Sequence, residues 1–401
     1  MVAETKLAPG MRFPSFADEW VLDRLGEWFS SSREKGSEGI PTLSVTLDRG
    51  LVNRDELERK QETNLTAQEH LLVRDGDIAY NMMRMWQGAF GRANSGGVVS
   101  PAYVVLRGKT GVDTRFFEYS FRRARSIYLF WAYSYGLTKD RLRLYANDFS
   151  RIPFSAPTLP EQRKIADFLT AVDERIGQLI QKKAWLTDYK KGVMQQLFTQ
   201  AIRFKDDHEN DFPDWEEKKL GEIATFSKGS GISKAEVHDD GATPCIRYGE
   251  LYTLYSELIG EVISRTNVEI KSLVMSQQND VIIPASGETH IDIATASCVM
   301  EAGIALGGDL NIIRAKTNGV FLAYYLNNAM KHVIAGMAQG SSVIHLYPAQ
   351  LKLLRLSVPS LLEQTKIADF LSAIDRKIES VTTQITETQT FKRGLLQQMF
   401  V

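Results

Sequence analysis

The chain is written twice. The segment PTLPEQRKIADFLTAVD at 157–173 returns as PSLLEQTKIADFLSAID at 359–375, with twelve of seventeen positions identical at an offset of 202 residues. The offset holds for YKKGVMQQLF at 189–198 and FKRGLLQQMF at 391–400, where every difference is conservative. A weaker echo precedes each unit, FPSFADEWVLDRLGE at 13–27 and FPDWEEKKLGE at 212–222, and Asp77 and Leu144-Tyr145 have counterparts in Asp280 and Leu346-Tyr347. A fixed period of self-similarity marks a repeated structural unit. Two copies of about 200 residues joined head to tail imply approximate twofold symmetry.

The C-terminal part of each unit reads as one long helix. Ile165, Phe168, Leu169, Val172, Ile176, Leu179, Lys183, Leu186, Tyr189, Val193 and Leu197 recur at three- and four-residue steps, as do Ile367, Phe370, Ile374, Ile378, Val381, Ile385, Thr388, Phe391, Leu395 and Met399. Such a stripe lets a helix pack along another helix. Thr158 and Ser360 stand as caps with Glu161 and Glu363 three residues on, the spacing of a capping box. About 40 residues at ~1.5 Å each give rods of roughly 60 Å. Each rod needs a partner, and the other copy, running antiparallel, supplies one. Gly192 and Gly394 interrupt the rods at equivalent places, each costing ~1 kcal/mol relative to Ala; a local kink and a close approach to a neighbouring helix or partner chain explain them equally well.

The N-terminal parts differ. Short β-rich runs at 41–47, 77–80 and 98–106, and at 243–248, 280–284 and 311–315, are separated by Gly, Asn and Ser turns. Each part has one expected helix, near 114–134 and 319–335. The expected fold is therefore α+β: two globular α/β domains separated by two long helices forming an antiparallel coiled coil. The boundaries fall at 1–156, 157–205, 206–358 and 359–401. The globular parts have diverged while the helices stayed alike, the pattern of identical spacers carrying different specificities.

Length, charge and cysteine usage narrow the class. A chain of 401 residues predicts two or three domains. No apolar run approaches the ~18 to 20 residues of a membrane helix, and MVAETKLAPG lacks the apolar core of a signal peptide. Cys245 and Cys298 are too few for a disulfide framework or structural zinc site, which points to the cytoplasm. A net charge of −1 taken alone argues mildly against nucleic-acid binding. The distribution says more: residues 74–143 hold twelve Lys/Arg against five acids, and 310–358 hold five cations and no acid. Local basic surface is what a positioned footprint requires.

The duplicated LPEQRKIADFLTAVD and LLEQTKIADFLSAID, with FPSFADEW, FPDWEEKKLGE and SKGSGISKAEV…GATPCIRYGELYT at 227–253, resemble the specificity subunits of type I restriction–modification systems across essentially the whole chain. The resemblance implies two target-recognition domains, each reading one half of a split sequence in double-stranded DNA. It also implies helices that act as a ruler and dock two methyltransferase subunits, with restriction/translocase subunits joining the complex. S-adenosylmethionine and ATP would bind those partners, so no cofactor is expected here. The chain is expected to be non-catalytic: it has no phosphate-binding Gly-x-x-x-x-Gly-Lys-[Ser/Thr] run and no Asn-Pro-Pro-[Tyr/Phe] run. Gly229-Ser230-Gly231 lacks the strand–GxGxxG–helix setting of a nucleotide site, and the six histidines show no metal-ligand spacing.

Base edges are read by Arg, Lys, Asn, Gln, Ser and Thr, while phosphate contacts set register. Candidates in the first domain are Ser44, Thr46, Asn81, Arg84, Gln87, Arg92, Asn94, Lys139 and Arg141. In the second they are Lys228, Ser230, Lys234, Arg247, Tyr248, Ser286, Thr289, His290, Ser341, Ser342 and His345. For each, an ordinary solvated loop residue is the alternative. In the cluster Arg122-Arg123-x-Arg125, phosphate-facing and solvated roles weigh equally, and Tyr248 and Tyr252 serve equally well as packing residues. Two rival functions use the same features: an assembly scaffold whose coiled coil binds proteins without reading DNA, and a fused methyltransferase or nuclease. The local basic clusters disfavour the first and the missing motifs the second.

Overall fold

The computed structural model describes residues 8–57, 65–138, 141–340 and 343–401. The chain divides into two compact units, one holding residues up to Ile180 together with Thr383–Val401, the other holding Gln181–Thr382. Two long helices, Leu159–Phe198 and Leu361–Gln398, each contribute one part to each unit.

In the first unit an antiparallel sheet runs in the order Phe29–Ser32, Tyr103–Gly108, Ile78–Asn81, Phe90–Arg92. Side chains alternate across a strand, and here both faces are covered. Ile78, Tyr80, Val104 and Leu106 join a core with Phe116, Phe117, Phe121, Phe130, Phe149 and Phe154. Ala79 and Val105 enter a smaller core with Leu43, Val73 and Val99. A hairpin of Leu43–Thr46 and Gly50–Asn53 stands beside this second face.

The second unit repeats the plan with different parts. Its five-stranded sheet runs Ala224–Lys228, Leu310–Ala315, Asp280–Pro284, Ser297–Val299, Leu258–Ile259. Val281, Ile283 and Ile313 face the helices, while Ile282 and Ile312 face a second core with Ile246 and Leu306. A strand leading into each long helix pairs with one following the tryptophan echo: Val21–Arg24 with Pro153–Ala156, and Glu216–Lys219 with Arg355–Val358. At this junction the glycine of each Leu-Gly-Glu is required. A Cβ on Gly26 would stand 3.0 Å from the Ser150 carbonyl oxygen, and one on Gly221 3.1 Å from that of Lys352.

The expected helices near 114–134 and 319–335 each break in two. They become Thr114–Phe121 and Ala124–Ala132 in one unit, and Gly319–Asn328 and Lys331–Met337 in the other. In the first, Arg123 is extended at φ −74 and ψ 147. That turn carries its guanidinium to the Val401 carbonyl oxygen, at 2.7 Å, and over the Phe400 ring. A tertiary contact has overridden local propensity.

The long helices meet through the same set of contacts in each unit. In the first, Lys392 Nζ lies 2.6 Å from Asp173 and over the Tyr119 ring, and the Tyr119 hydroxyl donates to Asp173 at 2.8 Å. In the second, Lys190 contacts Asp375 at 2.8 Å and lies over Tyr324, whose hydroxyl donates to Asp375 at 2.5 Å. Residue 173 faces 392 and residue 190 faces 375, so the pair runs antiparallel. Burial pushes both phenols well above the ordinary tyrosine range, and the neighbouring carboxylate adds to it. They remain protonated donors at neutral pH.

The capping-box reading holds only in part: Ser360 Oγ accepts from the Glu363 amide at 3.4 Å, but the glutamates do not complete the box. Glu161 and Glu363 are fully buried and accept two hydrogen bonds each from a guanidinium instead of turning back on the cap. Arg12 binds Glu161 at 2.7 Å through both nitrogens, and Arg203 binds Glu363 at 3.1 and 2.8 Å. Trp215 Nε1 donates to Glu363 as well, at 3.1 Å. The adjacent Phe13 and Phe204 stack edge-on against Phe168 and Phe370, so Arg-Phe at 12–13 and 203–204 is a further echo that spacing did not reveal. Gln162 and Gln364 close the joint by accepting from the amides of Asp113 and Asn318. Gly192 and Gly394 neither break the helices nor touch another part of the chain: a Cβ at either meets nothing within 4 Å.

Two outcomes follow. Glu363→Ala leaves the Arg203 guanidinium without its buried partner, and urea unfolding followed by Trp fluorescence should lose about 3 kcal/mol. Cys245 and Cys298 are buried, with thiols pushed up to about 11 and about 12 by burial. Both stay protonated at pH 8, so a thiol-reactive dye should label neither in the folded chain and both in denaturant.

Candidate nucleic-acid interface

The first unit carries two adjoining clefts that share Tyr103. One, of about 870 Å³, is lined by the Leu43–Thr46 hairpin strand and its turn, with Ser44, Thr46 and Arg49, and by Asn81, Met83 and Arg84 at the end of a central strand. The other, of about 610 Å³, is lined by Arg33, Lys35, Tyr145, Asn147 and Arg151 among others. The geometry therefore gathers Ser44, Thr46, Asn81 and Arg84 from two separate stretches of sequence. A tight turn places the hairpin: the Thr46 hydroxyl donates to the Gly50 carbonyl at 3.2 Å and accepts from the Arg49 amide at 3.0 Å. Asn81 is similarly engaged, its Oδ1 accepting from the Met83 amide.

Other first-unit candidates lie apart. Gln87 is exposed on the turn Met85–Gln87 and Arg141 on a bend, outside both clefts. Arg92 is spent inside the domain, donating to Thr114, Asn94 and Asp75. Lys139 lies outside the described residues.

The basic window at 74–143 is less of a footprint than its sequence suggests. Arg74 and Arg107 hold Glu34, Arg107 also holds Asp77, Arg115 holds Asp113 and Asp167, and Arg122 holds Glu118. Paired charges project little field, so much of the run supports structure. Its counterpart Arg314 does the same, bound to buried Asp280. The cations that line the first-unit clefts include Arg33, Lys35 and Arg49, which precede the window, and Arg151, which follows it. No local sequence signal marks them; only the folding of the sheet brings them together.

In the second unit a cleft of about 530 Å³ is lined by Lys234, Arg247, Tyr248 and Asp309 with the loop at 231–233. Arg247 follows the strand Thr243–Ile246, which pairs with Arg265–Thr266 and Ala305–Leu306. A second cluster forms on the strand pair Ser286–Gly287 and Ile344–His345, where Ser286 faces His345. His345 stacks on Tyr347 at 6.1 Å, and Lys228 Nζ stands 5.8 Å over the same ring. Three candidates are tied into the frame: Ser230 Oγ accepts from the Val274 amide, Thr289 holds Asp292, and His290 Nδ1 pairs with the Ala335 carbonyl. Ser341 and Ser342 lie outside the described residues. Among the described residues no group of His, Cys, Asp or Glu could hold a metal ion, and no helix is long and apolar enough to cross a membrane.

Comparison with known proteins agrees with this architecture. Residues 213–389 match the family model described as the type I restriction modification DNA specificity domain. The type I restriction enzyme MjaVIII specificity subunit of Methanocaldococcus jannaschii is 22% identical over 420 residues, covering 96% of this chain and 92% of that one. The putative MjaX specificity subunit of the same organism is 26% identical over 247 residues, 60% of this chain and 56% of that relative's length. Among solved structures, the S subunit of a type I restriction–modification system from M. genitalium superposes with a TM-score of 0.62 at 15% identity, covering 98% of this chain and 99% of that one. The HsdS subunit of Thermoanaerobacter tengcongensis gives 0.51 at 16% identity, covering 99% and 98%. Fold, internal repeat and sequence similarity converge on the specificity subunits of type I restriction–modification systems, which this chain resembles over nearly its whole length.

Proposed function

We propose that this subunit recognises a bipartite double-stranded DNA target, each globular head reading one half across an unread gap. The observation that carries the reading is the contrast between joints and heads. The Lys–Asp–Tyr, Arg–Glu and Gln contacts repeat almost atom for atom, while the clefts above them differ in every reading residue: Ser44, Asn81 and Arg84 in one, Lys234, Arg247 and Tyr248 in the other. Identical mounts with different readers suit a target whose halves differ in sequence. The heads correspond to 1–156 and 206–358, the spacers to 157–205 and 359–401.

The spacers act as ruler and as docking surface for two methyltransferase subunits, with restriction/translocase subunits joining through the complex. Exposed Tyr189 with Gly192 one turn on, and exposed Phe391 with Gly394, give two equivalent patches for two copies of one partner. Methyl transfer and cleavage belong to those partners; this chain supplies sequence choice and works in the cytoplasm. Of the proposed reading residues, Arg84 and Arg247 carry the planar guanidinium that pairs bidentately with guanine in a major groove.

Methylation-aware sequencing of a host genome carrying this chain with its methyltransferase should reveal one split motif with oppositely oriented halves. A single continuous motif would refute the reading. Inserting one helical turn into both spacers should widen the gap by ~1.5 base pairs, from ~5.4 Å per turn against ~3.4 Å per base-pair step, with both half-sites unchanged. An unchanged gap would remove the ruler.

A further inference from the structure

The residues that recur in both heads fall into two groups. Most are buried or paired. Asp77 and Asp280 are held by Arg107 and Arg314, Tyr119 and Tyr324 by the helix-borne carboxylates, and Leu144 and Leu346 are fully buried. Packing explains their recurrence. Tyr145 and Tyr347 do not fit that group. They are 44% and 45% exposed, and neither hydroxyl has a hydrogen-bond partner among the described residues.

Their backbone setting is the same. The Leu144 amide donates to Met82 O at 2.9 Å and the Leu346 amide to Ala285 O at 3.0 Å, each just past the end of a central strand. Both tyrosines are extended and immediately precede a short helix, Ala146–Ser150 or Pro348–Leu351. That is an N-cap position, where Ser, Thr, Asp or Asn would add ~1 kcal/mol and tyrosine adds none. Local stability therefore does not account for a tyrosine there twice.

Each tyrosine has basic side chains near it. Tyr145 shares its cleft with Arg33, Lys35 and Arg151, the last beside Asp148, while Lys228 Nζ lies over the Tyr347 ring and His345 stacks on it. The heads have otherwise replaced their exposed reading residues. An exposed side chain common to both must meet whatever the two half-sites share, and two different base sequences share only the sugar–phosphate backbone.

We infer that Tyr145 and Tyr347 are paired backbone anchors, each donating its hydroxyl to a phosphate oxygen and fixing the register of its head on the duplex. The inference rests on the reading of the chain as a DNA-recognition subunit. A neutral phenol displaces no condensed cation, so its contact adds affinity without adding to the salt dependence.

The test uses the assembled complex with its methyltransferase subunits and measures binding to cognate and scrambled duplexes across a salt series. Y145F and Y347F remove one oxygen each from exposed positions. Each should weaken binding about tenfold on both duplexes, and the double variant about a hundredfold. The slope of log affinity against log salt should stay that of the unsubstituted complex, and the methylated motif should not change. Binding equal to the unsubstituted complex overturns the anchors. So does a loss confined to one half-site sequence, which marks base reading. Dissociation of the complex on size exclusion, with DNA affinity lost only in consequence, marks a protein contact and overturns them too. If the unsubstituted complex fails to bind any duplex, the parent reading falls before the anchors are tested.

Discussion

A forty-residue amphipathic helix cannot stand in water with its stripe uncovered, and everything else in this chain is arranged around that constraint. Ile165, Leu169 and Val172 of the first helix, Leu395 of the second and Met399 just past its end enter one core. Val193, Leu197, Ile367, Leu371 and Ile374 enter the other. Fully burying a Leu or Ile side chain is worth about 1.5–3 kcal/mol, so each helix part is held mainly by the head it serves. Polar contacts then fix the angle. A buried carboxylate at each helix start is acceptable only when fully paired, and Arg12 and Arg203 supply two donors each. Removing apolar packing would loosen the joint; removing the guanidinium would leave a charge stranded.

Much of this architecture was legible in the sequence because its signals are local. The helical stripe and the β-rich runs depend on neighbours within a turn or two, and the offset of 202 is read by laying the chain against itself. Where the reading erred, a distant residue had intervened. Glu161 and Glu363 have the spacing of capping-box partners, yet their carboxylates face guanidiniums at sequence separations of 149 and 160. The expected helix at 114–134 breaks because Arg123 reaches Val401, 278 residues away. Spacing describes what a residue can do alone; it is silent on what arrives from elsewhere.

The candidate interface was less legible for the same reason. Counting cations between 74 and 143 weighs Arg84, which lines a cleft, equally with Arg107, which is locked between Asp77 and Glu34. Ser44, Asn81 and Arg84 were recognisable by residue type and loop setting. Arg33, Lys35 and Arg151 carried no such mark and join the surface only because Phe29–Ser32 pairs beside Tyr103–Gly108. In the second head, Ser230, Thr289 and His290 had suitable chemistry but serve turns and tertiary contacts. A polar loop residue has two employers, the fold and the ligand, and only its hydrogen-bond partners tell them apart.

That division also reconciles a net charge of −1 with a nucleic-acid surface. Charges committed to pairs cancel at close range, and beyond a Debye length of about 8–10 Å their residual field is screened. Among the described cations without an ion pair, Arg33, Arg49 and Arg84 line one pair of clefts and Lys234 and Arg247 line the other. Each phosphate neutralised by such a cation adds about 0.9 to the salt slope. Under the proposed reading, the few cations lining each cleft give weak, sequence-blind attraction, and discrimination is left to the short polar side chains beside them.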